Sequence, residues 1–170
     1  MQLKINLEAV IEDLRKTGVL KAQAKEGRVT SEGRVATYNH NGTRGVMIKV
    51  LCETDFTAKS DVFVELCDQL CLHIAAYEPK FVSADQVDQD YIAKECEIAK
   101  IKLEEEGKKP EMIVKILEGK TAKLASEVSL LSQPFIMNTD ITVLERILQT
   151  SQATGEKITV DSFVVYKLKN

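Results

Sequence analysis

The chain has 170 residues, 44% of them hydrophobic and 29% charged, and a net charge of −3. This is the composition of an ordinary soluble globular protein with room for one domain and a small appendage. No apolar run nears the roughly 18–20 residues of a bilayer-spanning helix, so no membrane partner is expected.

The start, Met1 to Asn6, lacks the apolar h-region and cleavage site of a secretory signal, which makes a cytoplasmic location the expectation. Charge is uneven. Residues 1–60 hold ten Lys/Arg against seven Asp/Glu (+3), and residues 61–170 hold thirteen against nineteen (−6). Neither figure points to nucleic acid. Cys52, Cys67, Cys71 and Cys96 are read as free thiols. Cys67 and Cys71 lie one helical turn apart, but neither His40 nor His73 stands at ligand spacing from them, so no metal and no cofactor is expected.

Leu7, Val10, Ile11 and Leu14 follow the i, i+3, i+4, i+7 pattern of an amphipathic helix, with Asn6 as N-cap and Thr17-Gly18 as stop. Lys21 to Arg34 is locally basic but interrupted by Glu26 and Glu32, and reads as a solvated connector. From Arg34 the period changes to that of strands. Val35–Tyr38 and Val46–Leu51 flank a turn-rich segment containing Asn41-Gly42, which predicts an antiparallel hairpin. Thr54-Asp55-Phe56 then forms a strand-to-helix corner.

Phe63, Leu66, Cys67, Leu70 and Ile74 mark the next helix, ending near Glu78-Pro79. Ser83 with Gln86 has the spacing of a capping box and predicts a second helix, carrying a narrow stripe of Val87, Tyr91, Ile98 and Ile101. Such a helix packs on one neighbour and projects. Pro110 opens a third helix at N1, with Ile113, Ile116, Leu117 and Leu124 inward. A short helix through Ile147-Leu148 follows Thr142, and alternation from Ile158 to Leu168 predicts a last strand joining the hairpin. The fold class is α+β: a small antiparallel sheet, hairpin plus C-terminal strand, packed with three longer helices, one of them projecting.

Cys52-Glu53-Thr54-Asp55-Phe56, with an apolar strand before it and Ala58-Lys59 after it, resembles the signature of the elongation factor Ts family. Lys21 to Arg28 with Glu32-Gly33 is similar to that family's linker, and Tyr38-Asn39-His40 with Arg44-Gly45-Val46 to its first hairpin. Glu118-Gly119-Lys120 and Leu131 to Phe135 resemble its later segments. The resemblance divides the chain into a remnant helix of an N-terminal helical domain (1–18), a linker (19–33) and a core/dimerisation domain (34–170). It implies a guanine-nucleotide exchange factor that binds elongation factor Tu, displaces Mg2+ and promotes GDP release during translation.

By the same resemblance, Asp55 and Phe56 are an intruding pair shaped by Thr54 and Thr57, and His40, Lys59, Gln133 and Pro134 are further partner contacts. The single set of core motifs resembles a short form that works as a homodimer. One departure stands at the prong itself, where Thr57 replaces the family's usual Val. Two alternatives remain open: a dimerisation fragment that binds elongation factor Tu without efficient exchange, and a thiol enzyme built on Cys52 with His40 or His73.

Overall fold

The computed structural model of the chain describes residue 25 and residues 27–168. The predicted helix from Leu7 to Lys16 and linker residues 19–24 and 26 lie outside the described residues.

The hairpin forms as its alternation demands. Strand β1 (Glu32–His40) pairs antiparallel with β2 (Arg44–Cys52) from Glu32↔Cys52 to His40↔Arg44. Asn41 and Gly42 turn the chain at φ 51° and 70°. That is the left-handed region which Asn and Gly enter most readily, and the Asn39 side chain accepts from the Gly42 N–H at 2.8 Å. Both strands run past their predicted ends. At the far end Gly33 lies against β2 so closely that a Cβ there would collide with the Val50 carbonyl oxygen.

The last strand, β5 (Thr159–Lys167), pairs antiparallel with the free side of β2, giving the order β1-β2-β5. Its alternation is broken. The register opposite β2 shifts between Lys49 and Val50, leaving Asp161 as an extra residue. This bulge flips the later side chains. Val160, Phe163 and Val165 pack against the core, whereas Val164 and Tyr166 stand on the outer face beside Met47 and Gly45.

The core lies on one face of this sheet. Ala36, Val46, Ile48, Val50 and Cys52 meet Phe63, Leu66, Cys67, Leu70 and Ile74 of helix α2 (Asp61–Tyr77), and all ten are buried. A one-turn helix, α1 (Asp55–Ala58), precedes α2 at the corner. Helix α5 (Val143–Thr154) closes the far side through Val143 and Ile147, and a capping box between Thr142 and Glu145 starts it. A two-stranded ribbon, β3 (Pro134–Phe135) with β4 (Asn138–Thr142), was not predicted; it seats Phe135 in the core.

Helices α3 (Gln89–Glu105) and α4 (Pro110–Glu127) pack on each other as the projecting part. Backbone bonds from Lys80 and Phe81 to Val128, and from Leu130 and Leu131 back to Phe81 and Val82, pin the base of this pair. Helix α3 begins later than its capping-box spacing implies. Ser83 makes no side-chain cap and opens only a 3-10 turn, its hydroxyl favouring the ionised Asp85 carboxylate; Asp88 caps α3 instead by accepting from the Asp90 N–H. The predicted stripe is also corrected. Ile98 and Ile101 face solvent, and the covered side of α3 runs through Ile92, Cys96, Ala99 and Leu103. On the facing helix α4, Ile113 is buried.

Candidate functional site

The corner between β2 and α2 is built by capping rather than by helix propensity. Four residues cannot hold a helix unaided. Thr54 sits in extended conformation and its hydroxyl oxygen accepts from the Thr57 N–H, capping α1. One turn later Ser60 caps α2 by accepting from the Phe63 N–H, and its hydroxyl donates to the Thr57 carbonyl at 2.8 Å. The two caps fix the direction of every side chain between them. Thr57 and Ala58 are buried, while Phe56 points out with 82% of its surface exposed. Burying a Phe is worth roughly 1.5–3 kcal/mol, so a ring held in water on an ordered turn carries free energy available for a contact.

Asp55 stands beside that ring. Its carboxylate takes a hydrogen bond from Lys59 Nζ at 2.8 Å, an i, i+4 pair in solvent. The Lys59 hydrogen bond and charge lower the Asp55 pKa and raise that of Lys59, so the acid is ionised and has a soft, exchangeable partner.

Behind the corner lies a reciprocal pair of glutamates that the sequence reading missed. Glu156 Oε2 accepts from the N–H groups of Glu53 and Thr54 at 3.0 Å each, and Oε1 accepts from the Thr54 hydroxyl at 2.5 Å. In return, Glu53 Oε1 accepts from the Lys157 N–H at 2.6 Å and from Arg28 Nη1 at 3.3 Å. Burial disfavours the charged form of Glu156. The hydroxyls of Thr54 and Thr57 and the two amides outweigh it and hold the carboxyl below its ordinary value. The Lys157 amide and then the Arg28 side chain do the same for Glu53 against a smaller cost of burial. Gly155, left-handed at φ 76° past the end of α5, turns the chain so that Glu156 meets the corner. No spacing rule links positions 53 and 156; only the fold brings them together.

The predicted site residues divide between two ends of the molecule. Thr54, Asp55, Phe56, Thr57 and Lys59 are contiguous at the corner. His40 closes β1 at the hairpin tip, exposed and hydrogen-bonded to the Tyr38 hydroxyl at 3.0 Å. From Arg44 to Cys52 the strand rise puts that tip roughly 26 Å from the corner. Gln133 is buried. Its amide accepts from His73 at 2.9 Å and donates to the Glu127 carbonyl at 2.7 Å, so it offers no surface, whereas Pro134 beside it is exposed.

Three of the four cysteines sit where a thiol is held protonated. Cys52, Cys67 and Cys71 are buried, and desolvation first of all pushes the Cys67 thiol up to about 12 and Cys71 to about 11. Burial, aided by the Glu156 charge, raises Cys52 as well. A thiol held protonated is a poor nucleophile. No group of His, Cys, Asp and Glu among the described residues has the arrangement of a metal site, and no described helix is long and apolar enough to cross a membrane.

The comparisons with known proteins agree with the corner motif. The family model for elongation factor Ts matches residues 10–170. The elongation factor Ts of Koribacter versatilis is 43% identical over 164 residues, covering 96% of this chain and 75% of that protein. That of Fervidobacterium nodosum is 41% identical, covering 94% and 81%, and that of Moorella thermoacetica is 42% identical, covering 96% and 81%. On the extent of these matches, the chain belongs to the elongation factor Ts family of translation elongation factors.

Proposed function

We propose that the chain is a guanine-nucleotide exchange factor for elongation factor Tu, and that Phe56 with Asp55 is the prong it inserts. The observation that carries this reading is the exposure of Phe56, 82%, on a turn whose backbone is capped and clamped. Exchange needs no nucleophile and no proton transfer. It needs binding energy directed to a partner conformation that holds nucleotide poorly, and linkage makes the antagonism mutual. Truncating a hot-spot aromatic costs about 2–4 kcal/mol, and about 1.4 kcal/mol is tenfold in affinity. One ring therefore shifts nucleotide affinity by one to two orders of magnitude, with a broad supporting contact supplying the rest.

In this reading Phe56 enters the partner near its bound Mg2+, Asp55 leaves Lys59 to meet a group there, and loss of the metal weakens the hold on phosphate. Thr54 and Thr57 shape the turn, and His40, Lys59 and Pro134 supply outlying contacts. The chain works in the cytoplasm as a homodimer. Val35, Met47, Val164 and Tyr166 form an apolar outer sheet face suited to a second copy.

The test is release of fluorescent GDP from elongation factor Tu, titrated with the chain at several Mg2+ concentrations. If metal and prong exclude one another, Mg2+ raises the concentration of chain needed for half-maximal release. A half-saturation point indifferent to Mg2+ contradicts displacement.

A further inference from the structure

We propose that Glu156 is a positioning residue for exchange: its carboxylate, reaching across from the end of α5, fixes the aim of Phe56 without being part of the prong. This rests on the exchange reading above and extends it to a residue one hundred positions beyond Phe56 in the chain.

Three hydrogen bonds converge on this one side chain, from the Glu53 and Thr54 amides and the Thr54 hydroxyl. A carboxylate offers about four acceptor sites, so the corner takes up most of the group. Every one of those donors lies within three residues of Phe56, and none belongs to the ring. Glu156 therefore holds the backbone that carries the prong and leaves its apolar surface free.

The clamp is itself anchored. The Glu156 carbonyl accepts from the Ser151 hydroxyl and from Lys25 Nζ, and the Gly155 carbonyl accepts from Arg28 Nη1 at 3.3 Å. Arg28 also pairs with Glu53, so the chain entering the core is tied to the same point. The nearby Thr57 hydroxyl further favours the ionised carboxylate.

Preorganisation defines what the residue does. A one-turn helix freed from its clamp must be ordered when the prong inserts, and that cost falls on the inserted state. The first encounter, made by the wider surface, does not bear it. Loss of Glu156 therefore lowers the maximal release rate more than it raises the half-saturating concentration.

The experiment compares full-length wild type, Phe56→Ala, Glu156→Ala, Glu156→Asp and Glu156→Gln in stimulated release of fluorescent GDP from elongation factor Tu. Deuterium uptake of the free proteins is followed in parallel. Glu156→Ala is expected to lower the maximal rate about tenfold, with half-saturation within about twofold of wild type. Glu156→Asp keeps the charge but loses the reach and falls comparably. Glu156→Gln keeps an oxygen for both amides and recovers to within about threefold. The Glu53 and Thr54 amides exchange faster in the Ala and Asp variants while β2 stays protected.

Wild-type maximal rates in both the Ala and Asp variants, alongside a defective Phe56→Ala, overturn the inference and leave the prong standing. A defect accompanied by lost protection throughout β2 overturns it too, as a general structural effect. If Phe56→Ala itself releases GDP at the wild-type rate, the exchange reading fails and this inference with it. Should Glu156→Ala not fold, the contrast between Asp and Gln decides.

Discussion

His73 and Gln133, sixty residues apart, share a buried hydrogen bond of 2.9 Å that joins helix α2 to the start of β3. The imidazole is fully used. Its Nδ1 accepts from the Ile136 N–H at 3.2 Å, which assigns the proton to Nε2 and makes that nitrogen the donor to Gln133. Gln133 then donates to the Glu127 carbonyl, so the network reaches the last turn of α4. Tyr77 stacks on the ring at a centroid distance of 4.7 Å.

Replacing His73 by Phe keeps a ring in this space but strands the Gln133 oxygen and the Ile136 N–H. The expected loss is about 2–4 kcal/mol of stability, since a buried unsatisfied polar group costs about 1–3 kcal/mol. Urea unfolding monitored by circular dichroism checks it. Stability within about 0.5 kcal/mol of wild type, the usual size of a surface-mutation effect, would mean that the network contributes nothing.

Acid should weaken the same network. Burial lowers the His73 pKa from 6.5, with the Gln133 contact opposing in part, so the folded chain carries the ring neutral. Its contribution is whole above pH 6.5 and is lost as pH falls below that value and through the lower folded one. The difference in melting temperature between wild type and His73→Phe should therefore shrink from pH 7 toward acid. A constant difference would show that the ring does not titrate as described.

The corner has its own, more acidic window. Glu53 and Glu156 both have folded pKa values below the ordinary 4.5. Their stabilisation is complete above pH 4.5 and disappears as pH falls through the lowered folded values. Amide exchange at Glu53, Thr54 and Lys157, corrected for its intrinsic pH dependence, should lose protection there before β2 does. Simultaneous loss throughout the sheet would contradict a local clamp.

The outer sheet face supplies a test of the homodimer. Stable interfaces bury about 800 Å² per partner, and Val35, Met47, Val164 and Tyr166 form a patch of the kind such contacts use. Sedimentation at micromolar concentration should give twice the chain mass of 19.0 kDa for wild type and the single mass for Val164→Glu. A monomeric wild type removes the dimer from the account.

Much of this fold was legible because local signals and burial agreed. Asn41-Gly42 between alternating strands gave the hairpin, and the spacing of Phe63, Leu66, Leu70 and Ile74 gave the buried face of α2. Where side chains had competing partners, pattern misled. Ser83 and Gln86 match a capping box, yet Ser83 makes no side-chain cap and Asp88 caps the helix instead. Thr142 and Glu145 carry the same spacing and do form one. The bulge at Asp161 inverts the faces of β5, which alternation alone cannot reveal.

The exposed corner proposed as the prong is legible at Thr54-Asp55-Phe56 because its residues are contiguous. The groups that hold it are not. Glu156 and Arg28 meet Glu53 only through tertiary structure, and isolated charged residues carry no periodicity to mark them. Gln133 illustrates the converse: the resemblance implies a partner contact there, while its own amide lies inside the core.

The most direct measurement is the rate of fluorescent GDP release from elongation factor Tu stimulated by wild type and by Phe56→Ala, whose core does not involve that ring. The account predicts at least about a tenfold lower stimulated rate for the variant, with an unchanged melting temperature. Release at the wild-type rate by a folded Phe56→Ala chain would contradict it.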